Sequence, residues 1–321
     1  MSNTIEWLDR LIEAQASKPS RQRYPAADTA VLRPPAGHSL AASMDTLICD
    51  VHFTMAASPA DIGHKALAVN LSDLAAIGAE PIAALLSLSA TALDGAWLTE
   101  FACGVKALAD RFGVQLPAGT LNEGPLTITV TIYGHLPASQ ALRRDNAAVG
   151  DHVFVTGTLG DAGLALALAR GQVLETVPPE PMRYLQTRLH RPEPRIAAGI
   201  ALRGLASAAI DVSDGLLADL HHVLTASGVG ATVDTSRLPL SQAMIDTLDS
   251  QQARQLALTA GDDYELCFTV PPSKLAQLQA LQAQCGCPIQ HIGYVESHGG
   301  LRCFDEASSW WAKPLGYRHF G

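Results

Sequence analysis

The sequence predicts an α/β chain (of the α+β kind) built as two domains, and three observations carry that expectation. Its 321 residues exceed what one ordinary core needs. Hydrophobic residues make up 48% and charged residues 17%, a composition that packs and does not stay disordered. Strand-like alternating runs and helix-period runs also follow one another along the whole chain instead of segregating.

The elements follow in order. Residues 39–53, "SLAASMDTLICDVHF", read as a strand running into a loop. Ser58, Pro59 and Asp61 then give a cap, a proline at the first helical position and an acid in the first turn. Helical apolar spacing runs through Ala66, Leu67, Val69, Leu71, Leu74 and Ala75 until Gly78 and Pro81 stop it. "IAALLSLSA" (82–90) is a strand, "AWLTEFACGVKALADRFG" (96–113) an amphipathic helix, and the β-branched "LTITVTIYGHL" (126–136) a strand. The pattern breaks into polar loop over 137–151, which divides the chain into residues 1–137 and 138–321.

The second half opens with the strand "HVFVTG", the glycine-rich turn "GTLGDAG" and a helix. A proline-rich connection (178–181) and helical segments near 182–206 come next. "AAIDVSDGLLADLHHVLTASG" (208–228) reads as strand, tight turn and helix. A strand (264–270), a helix (273–285) and strands near 289–296 and 301–304 finish the chain. "AVNLSDLAA" and "AIDVSDGLLA" echo each other through Asn/Asp-x-Ser-Asp, a match too short to define a repeat.

With 31 acidic against 22 basic residues the formal charge is -9, and no Lys/Arg run or basic aromatic patch is present, which argues against nucleic acid as partner. The first residues have no signal-type apolar core, and no apolar run reaches spanning length, so no membrane role is expected. Six scattered cysteines in a chain of this size fit reduced thiols and a cytoplasmic location.

No Walker loop, kinase HRD or DFG set, GxSxG elbow or HExxH helix occurs. What stands out is a set of acids beside apolar segments: Asp28, Asp45, Asp73, Asp211, Asp214, Asp262 and Asp263. Singly, each reads as a cap, a turn residue or a surface charge. Gathered, they would repel one another unless divalent cations sat among them, and Mg²⁺ prefers carboxylate, water and phosphate oxygens. An acid-rich pocket is thus one way to hold ATP without a P-loop.

"DIGHKALAVNLSDLAAIGAEP", "IDVSDGLLADLHHVLTASGVGA", "LPLS" at Leu238, "GDDYELCFTVP" and the terminal "GYRHF" resemble the signature segments of the thiamine-monophosphate kinase family. That family lies in the aminoimidazole ribonucleotide synthetase and selenophosphate synthetase superfamily, and the likeness runs from about Asp28 to the end. The resemblance implies a two-domain aminoimidazole ribonucleotide synthetase-like fold whose N-terminal sheets form a barrel across a homodimer, with the ATP/Mg site in the N-terminal domain. It implies Mg²⁺-dependent phosphorylation of thiamine monophosphate by ATP.

Carried over by motif, Asp28, Ser43, Asp45, Asp73, Asp211 and Asp214 hold Mg²⁺, with Asp45, Asp73 and Asp214 central to catalysis. Gly119, Thr120, Arg144 and Ser213 contact the nucleotide, and His52, Asp262 and Tyr317 shape the thiamine-phosphate pocket. Three positions depart from the family pattern: Ala27 and Met44 replace an acid and a hydroxyl, and the family's "GGDT" loop reads "AGTL", with Thr120 in place of an aspartate. Met44 and Thr120 are read as loss of ligands to one and the same ion. The departures keep two other readings open: a paralogue that binds nucleotide or thiamine phosphate without transfer, and a superfamily enzyme acting on another substrate.

Overall fold

The computed structural model describes residues 31–92, 94–173, 175–305 and 308–317. The chain divides into two units. One holds the described residues up to Leu74 with Ala79–Ser139, and the other holds Ala75–Gly78 with the chain from Gln140 onward.

The first unit is a four-stranded sheet with two helices. Strand β1 (His38–Ile48), helix α1 (Pro59–Ala76), β2 (Glu80–Ser89), α2 (Gly95–Phe112), β3 (Gln115–Asn122) and β4 (Thr127–Pro137) follow in sequence. The sheet order is β1-β4-β2-β3, antiparallel except for the β2–β3 pair. The expected cap is present: the Asp61 N–H donates to Ser58 Oγ at 3.1 Å. Helix α2 stops at Gly113, whose φ of 67° suits a residue without Cβ. The two helices touch backbone to backbone, because a side chain on Gly63 or Gly104 would run into Phe101 O or Ala60 O.

Alternation along β1 turns Ala41, Ser43, Asp45 and Leu47 to one face and Leu40, Met44 and Ile48 to the other. Ala41 and Leu47 are buried, whereas Leu40, Met44 and Ile48 are exposed. Strand β3 was not expected from the sequence, which takes "AGTL" as a loop; these residues lie inside a strand. Pro117 and Gly119 argue against a strand interior, yet β3 is an edge strand, where a proline leaves no ladder bond unmade.

The second unit carries a seven-stranded mixed sheet. Its elements are β5 (His152–Thr156), α3 (Asp161–Ala169), α4 (Pro179–His190), α5 (Ile196–Ala201), β6 (Ala208–Val212), α6 (Leu216–Ser227) and β7 (Gly230–Asp234). Helices α7 (Gln242–Thr247) and α8 (Ser250–Thr259), strand β8 (Glu265–Val270), helix α9 (Leu275–Leu281) and strands β9 (Ile289–Glu296), β10 (Gly300–Phe304) and β11 (Ser309–Ala312) complete it. Strand order is β11-β10-β7-β9-β5-β8-β6.

Apolar residues of α6, led by Leu216, Leu220 and Val223, pack on Val153, Val155 and Val233 of the sheet. A second core joins Leu164 of α3, Leu185 of α4 and Met244 of α7. Strands β7 and β11 and helices α7 and α8 were not read from the sequence. The first two are short, and the helices are short stretches whose caps, Ser241 and Asp249, are the clearest marks they carry.

Candidate functional site

In the first unit, strand β1 and helix α1 bring Ser43, Asp45, Asn70 and Asp73 together. Ser43 Oγ donates a hydrogen bond to Asp73 Oδ2. The Asp45 N–H donates to Asn70 Oδ1 at 3.1 Å, and Asn70 Nδ2 donates to Ala66 O at 3.0 Å. Asn70, fully buried, thus ties strand β1 at Asp45 to helix α1. Burial pushes the Asp73 carboxyl above its usual range, and hydrogen bonds with Ser43 and the Asp45 side chain only partly offset this. Two carboxyls in hydrogen-bond contact need a shared proton or a cation.

His52 sits in the turn after β1, where its Nδ1 accepts from the Ile48 N–H at 3.0 Å. Its carbonyl accepts from Lys65 Nζ of α1 at 3.3 Å. This turn brings Asp50 to a φ of 64°.

Thr120 and Gly119 sit on β3, at the far edge of the sheet from β1. Thr120 Oγ1 donates to Ser87 Oγ at 3.0 Å, and Thr46 and Thr129 share a hydroxyl bond at 2.9 Å. By register Thr46, Thr129, Ser87 and Thr120 form one hydroxyl row across all four strands. Met44 lies on the same open face as this row and opposite to Asp45. Three strand spacings separate β1 from β3, about 14 Å. Within one subunit Met44 and Thr120 are thus on one face of the sheet but on its two opposite edge strands.

In the second unit, the Ser213–Gly215 turn joins β6 to α6, and two other segments bond to it. The Asp262 N–H donates to Ser213 O at 2.9 Å, and the Tyr317 N–H donates to Asp214 O at 2.9 Å. Tyr264 OH donates to Asp262 Oδ1 at 3.0 Å. Asp262 and Tyr264 hold φ values of 68° and 52°, which non-glycine residues adopt only under constraint. Gly261 fits because a side chain there would overlap Ser213 O. Asp211, Ser213, Asp214, Asp262 and Tyr317 therefore share one end of the second unit, with Asp211 buried on β6. Arg144 is exposed on the loop after the first unit, where its carbonyl accepts from Ser227 Oγ at 3.3 Å. Asp28 lies outside the described residues.

The echo between "NLSD" and "DVSD" is not structural. Asp73 is inside a helix, whereas Asp214 is in a strand-to-helix turn.

Sequence reasoning missed Asp219. Its buried carboxylate oxygen Oδ2 accepts the N–H groups of Ser213, Asp214 and Gly215, each at 3.0 Å. Burial, with the charge of Asp214 adding to it, raises this carboxyl to about 7. Its only readable signal is an acid in the first turn of a helix. Also missed was the use of Glu265, which anchors the "GDDYEL" segment. Fully buried, it accepts from Arg195 Nε at 2.6 Å, Arg195 Nη2 at 2.5 Å, Arg188 Nη2 at 3.0 Å and Thr156 Oγ1 at 2.6 Å.

The donors fit a hard cation. Carboxylates beside a hydroxyl are the oxygens Mg²⁺ takes, and Mg²⁺ is commonly held by one or two carboxylates completed by water and phosphate. Among the described residues no three His, Cys, Asp or Glu side chains form a metal-holding group by themselves. Among the described residues no helix is long and apolar enough to cross a membrane.

Residues 26–136 match the family described as AIR synthase related protein, N-terminal domain, and residues 148–306 match its C-terminal domain. The thiamine-monophosphate kinase of Salmonella typhimurium is 45% identical over 296 residues, covering 91% of this chain and 90% of the relative. The crystal structure of thiamine-monophosphate kinase from Stenotrophomonas maltophilia K279a is similar at 41% identity and a TM-score of 0.86, covering 94% of this chain and 96% of that one. The structure of AaThiL complexed with AMPPCP and TMP is similar at 30% identity and a TM-score of 0.78, covering 99% and 97%.

Proposed function

Because the chain belongs to the thiamine-monophosphate kinase family, we propose that it transfers a phosphoryl group from ATP to the phosphate of thiamine monophosphate, releasing thiamine diphosphate. The observation that carries this reading is the match to relatives of that name across nine tenths of both chains. The solved complex with AMPPCP and TMP supports binding of both substrates.

The chemistry follows from charge. The acceptor phosphate is ionised at neutral pH, so no strong general base is required. What must be overcome is the repulsion of two anions brought into line. Mg²⁺, when bound, supplies the charge that neutralises both phosphates. Asp28, Ser43, Asp45, Asp73, Asp211 and Asp214 are its proposed ligands. Asn70 fixes the backbone at Asp45, and the Ser43 hydroxyl orients Asp73. Arg144, Gly119, Thr120 and Ser213 contact the nucleotide. His52, Asp262 and Tyr317 border the thiamine phosphate, with Asp262 and Tyr317 bonded to successive carbonyls, Ser213 O and Asp214 O, of one turn. An open sheet face with Leu40, Met44 and Ile48 exposed supports a homodimer joined through the N-terminal sheets. The proposed compartment is the cytoplasm.

One observation favours a second reading. Thr120 is neutral and commits its hydroxyl proton to Ser87, so it grips a cation less well than the family's aspartate. A protein that binds ATP and thiamine monophosphate with little transfer would retain everything else. Purified protein incubated with ATP, Mg²⁺ and thiamine monophosphate separates the two. Thiamine diphosphate formed with multiple turnovers supports the kinase, calorimetric binding without product supports the binding protein, and neither binding nor product overturns both.

A further inference from the structure

We propose that Asp219 is the positioning residue of the second unit's site, fixing the Ser213–Gly215 turn by accepting all three of its N–H groups and, through that turn, placing Asp262 and Tyr317. The inference rests on the kinase reading for its catalytic consequence but not for its geometry.

A turn entering a helix leaves its first N–H groups without intrahelical partners. Here three consecutive donors converge on a single oxygen of Asp219, one turn further along α6. Gly215 takes a φ of 122°, open only to glycine, and a side chain there would lie 2.8 Å from Thr259 O. With its N–H groups pointed at Asp219, the turn leaves the Ser213 and Asp214 carbonyls for other segments, while Gly215 O accepts the Asp219 N–H at 3.0 Å. Ser213 O accepts from Asp262 and Asp214 O from Tyr317, while Val212 O accepts from Tyr264 at 2.8 Å. The left-handed Asp262 and Tyr264 are held in strained conformations by these bonds. Without the carboxylate, three donors lose their acceptor together, the Gly215 N–H buried and the other two half-buried, and the turn has no reason to keep the Ser213 and Asp214 carbonyls where Asp262 and Tyr317 need them. Asp219 is buried with its Oδ2 taken up by the three N–H groups, so it acts through the turn.

The test compares full-length protein with Asp219→Ala and Asp219→Asn. Amide hydrogen exchange is read at residues 213–215, with β6 as internal reference, together with AMPPCP affinity by calorimetry and steady-state kinetics. For Asp219→Ala, exchange at the three amides speeds up about tenfold or more while β6 stays protected. The kcat falls about 10–100-fold, the usual scale for loss of a supporting carboxylate, and AMPPCP binds about threefold or more weakly, because the freed turn carries Ser213 and Asp214. Asp219→Asn, whose amide oxygen still accepts, keeps most of the protection and recovers most of kcat. Unchanged exchange and kcat in Asp219→Ala overturn the proposal. If Asp219→Ala does not fold, Asp219→Asn decides: retained protection supports the proposal, lost protection overturns it. If wild type gives no product, the kinase reading fails, and exchange with AMPPCP affinity still decides the role of Asp219.

Discussion

Replacing Glu265 by glutamine tests what supports the "GDDYEL" segment. The side chain is fully buried and serves two guanidinium groups at once, with four hydrogen bonds from Arg188, Arg195 and Thr156. Arg188 and Arg195 are themselves largely buried, and Glu265 is a leading cause of both holding their protons even more firmly than usual. Glu265→Gln preserves shape but leaves Arg195 facing a neutral amide with one acceptor oxygen, and Arg188 with its longer pair to Asp161 at 3.5 Å. Breaking a buried ion pair by removing one partner costs about 3–5 kcal/mol. For a folding unit of this size each kcal/mol lowers Tm by roughly 2–4 °C, so the variant melts roughly 6–20 °C below wild type. Differential scanning calorimetry at pH 7 measures this directly, and urea unfolding checks that the slope is preserved. A Tm within about 2 °C of wild type would refute the reasoning, because it would mean the two arginines find other partners at no cost.

Other predictions follow from the same geometry. Thr120→Asp restores an anionic ligand on β3 and raises kcat/KM with Mg²⁺ by about tenfold or more, one carboxylate needing to supply only about 1.4 kcal/mol; no gain in a coupled ATPase assay would show that Thr120 does not limit the rate. Gly261→Ala forces a methyl against Ser213 O and shifts the turn, so kcat/KM falls about 10–100-fold, with circular dichroism unchanged. Burial, then the charges of Arg237 and His152, hold His291 below its ordinary 6.5, with the Gly293 backbone and Asp234 opposing. Its folded-state pKa is depressed, so the unfolded chain takes up the proton first, and stability is lost as pH falls through and below about 6.5. Between pH 8 and 5, Tm should therefore fall less steeply in His291→Gln than in wild type, and identical profiles would contradict the assignment.

Local chemistry announces some elements and conceals others. Alternation in "LTITVTIYGHL" and the Ser58–Pro59 start of α1 are visible because neighbours along the chain decide them. Strand β3 is hidden because Pro117 argues against a strand interior and is accommodated here by an edge position, a fact of tertiary structure. Strand β7 follows the Gly228 stop of α6 too closely to show a period of its own.

The candidate site divides in the same way. Its acids were legible as residue types, but the Ser43–Asp73 bond joins positions 30 apart, and nothing local specifies it. Met44 beside Asp45 in sequence lies on the opposite face of the strand, a consequence of the two-residue period. Glu265 draws on Thr156, 109 positions away, and Arg188, 77 away. Asp219 carries no distinguishing mark in the sequence because its partners are backbone groups, which every sequence contains.

Single-turnover transfer from γ-labelled ATP to thiamine monophosphate, run on wild type, Asp73→Asn and Asp214→Asn, tests the central claim most directly. Labelled thiamine diphosphate from wild type, formed about 100-fold or more slowly by either variant, is the predicted result. Equal rates in all three proteins would contradict it.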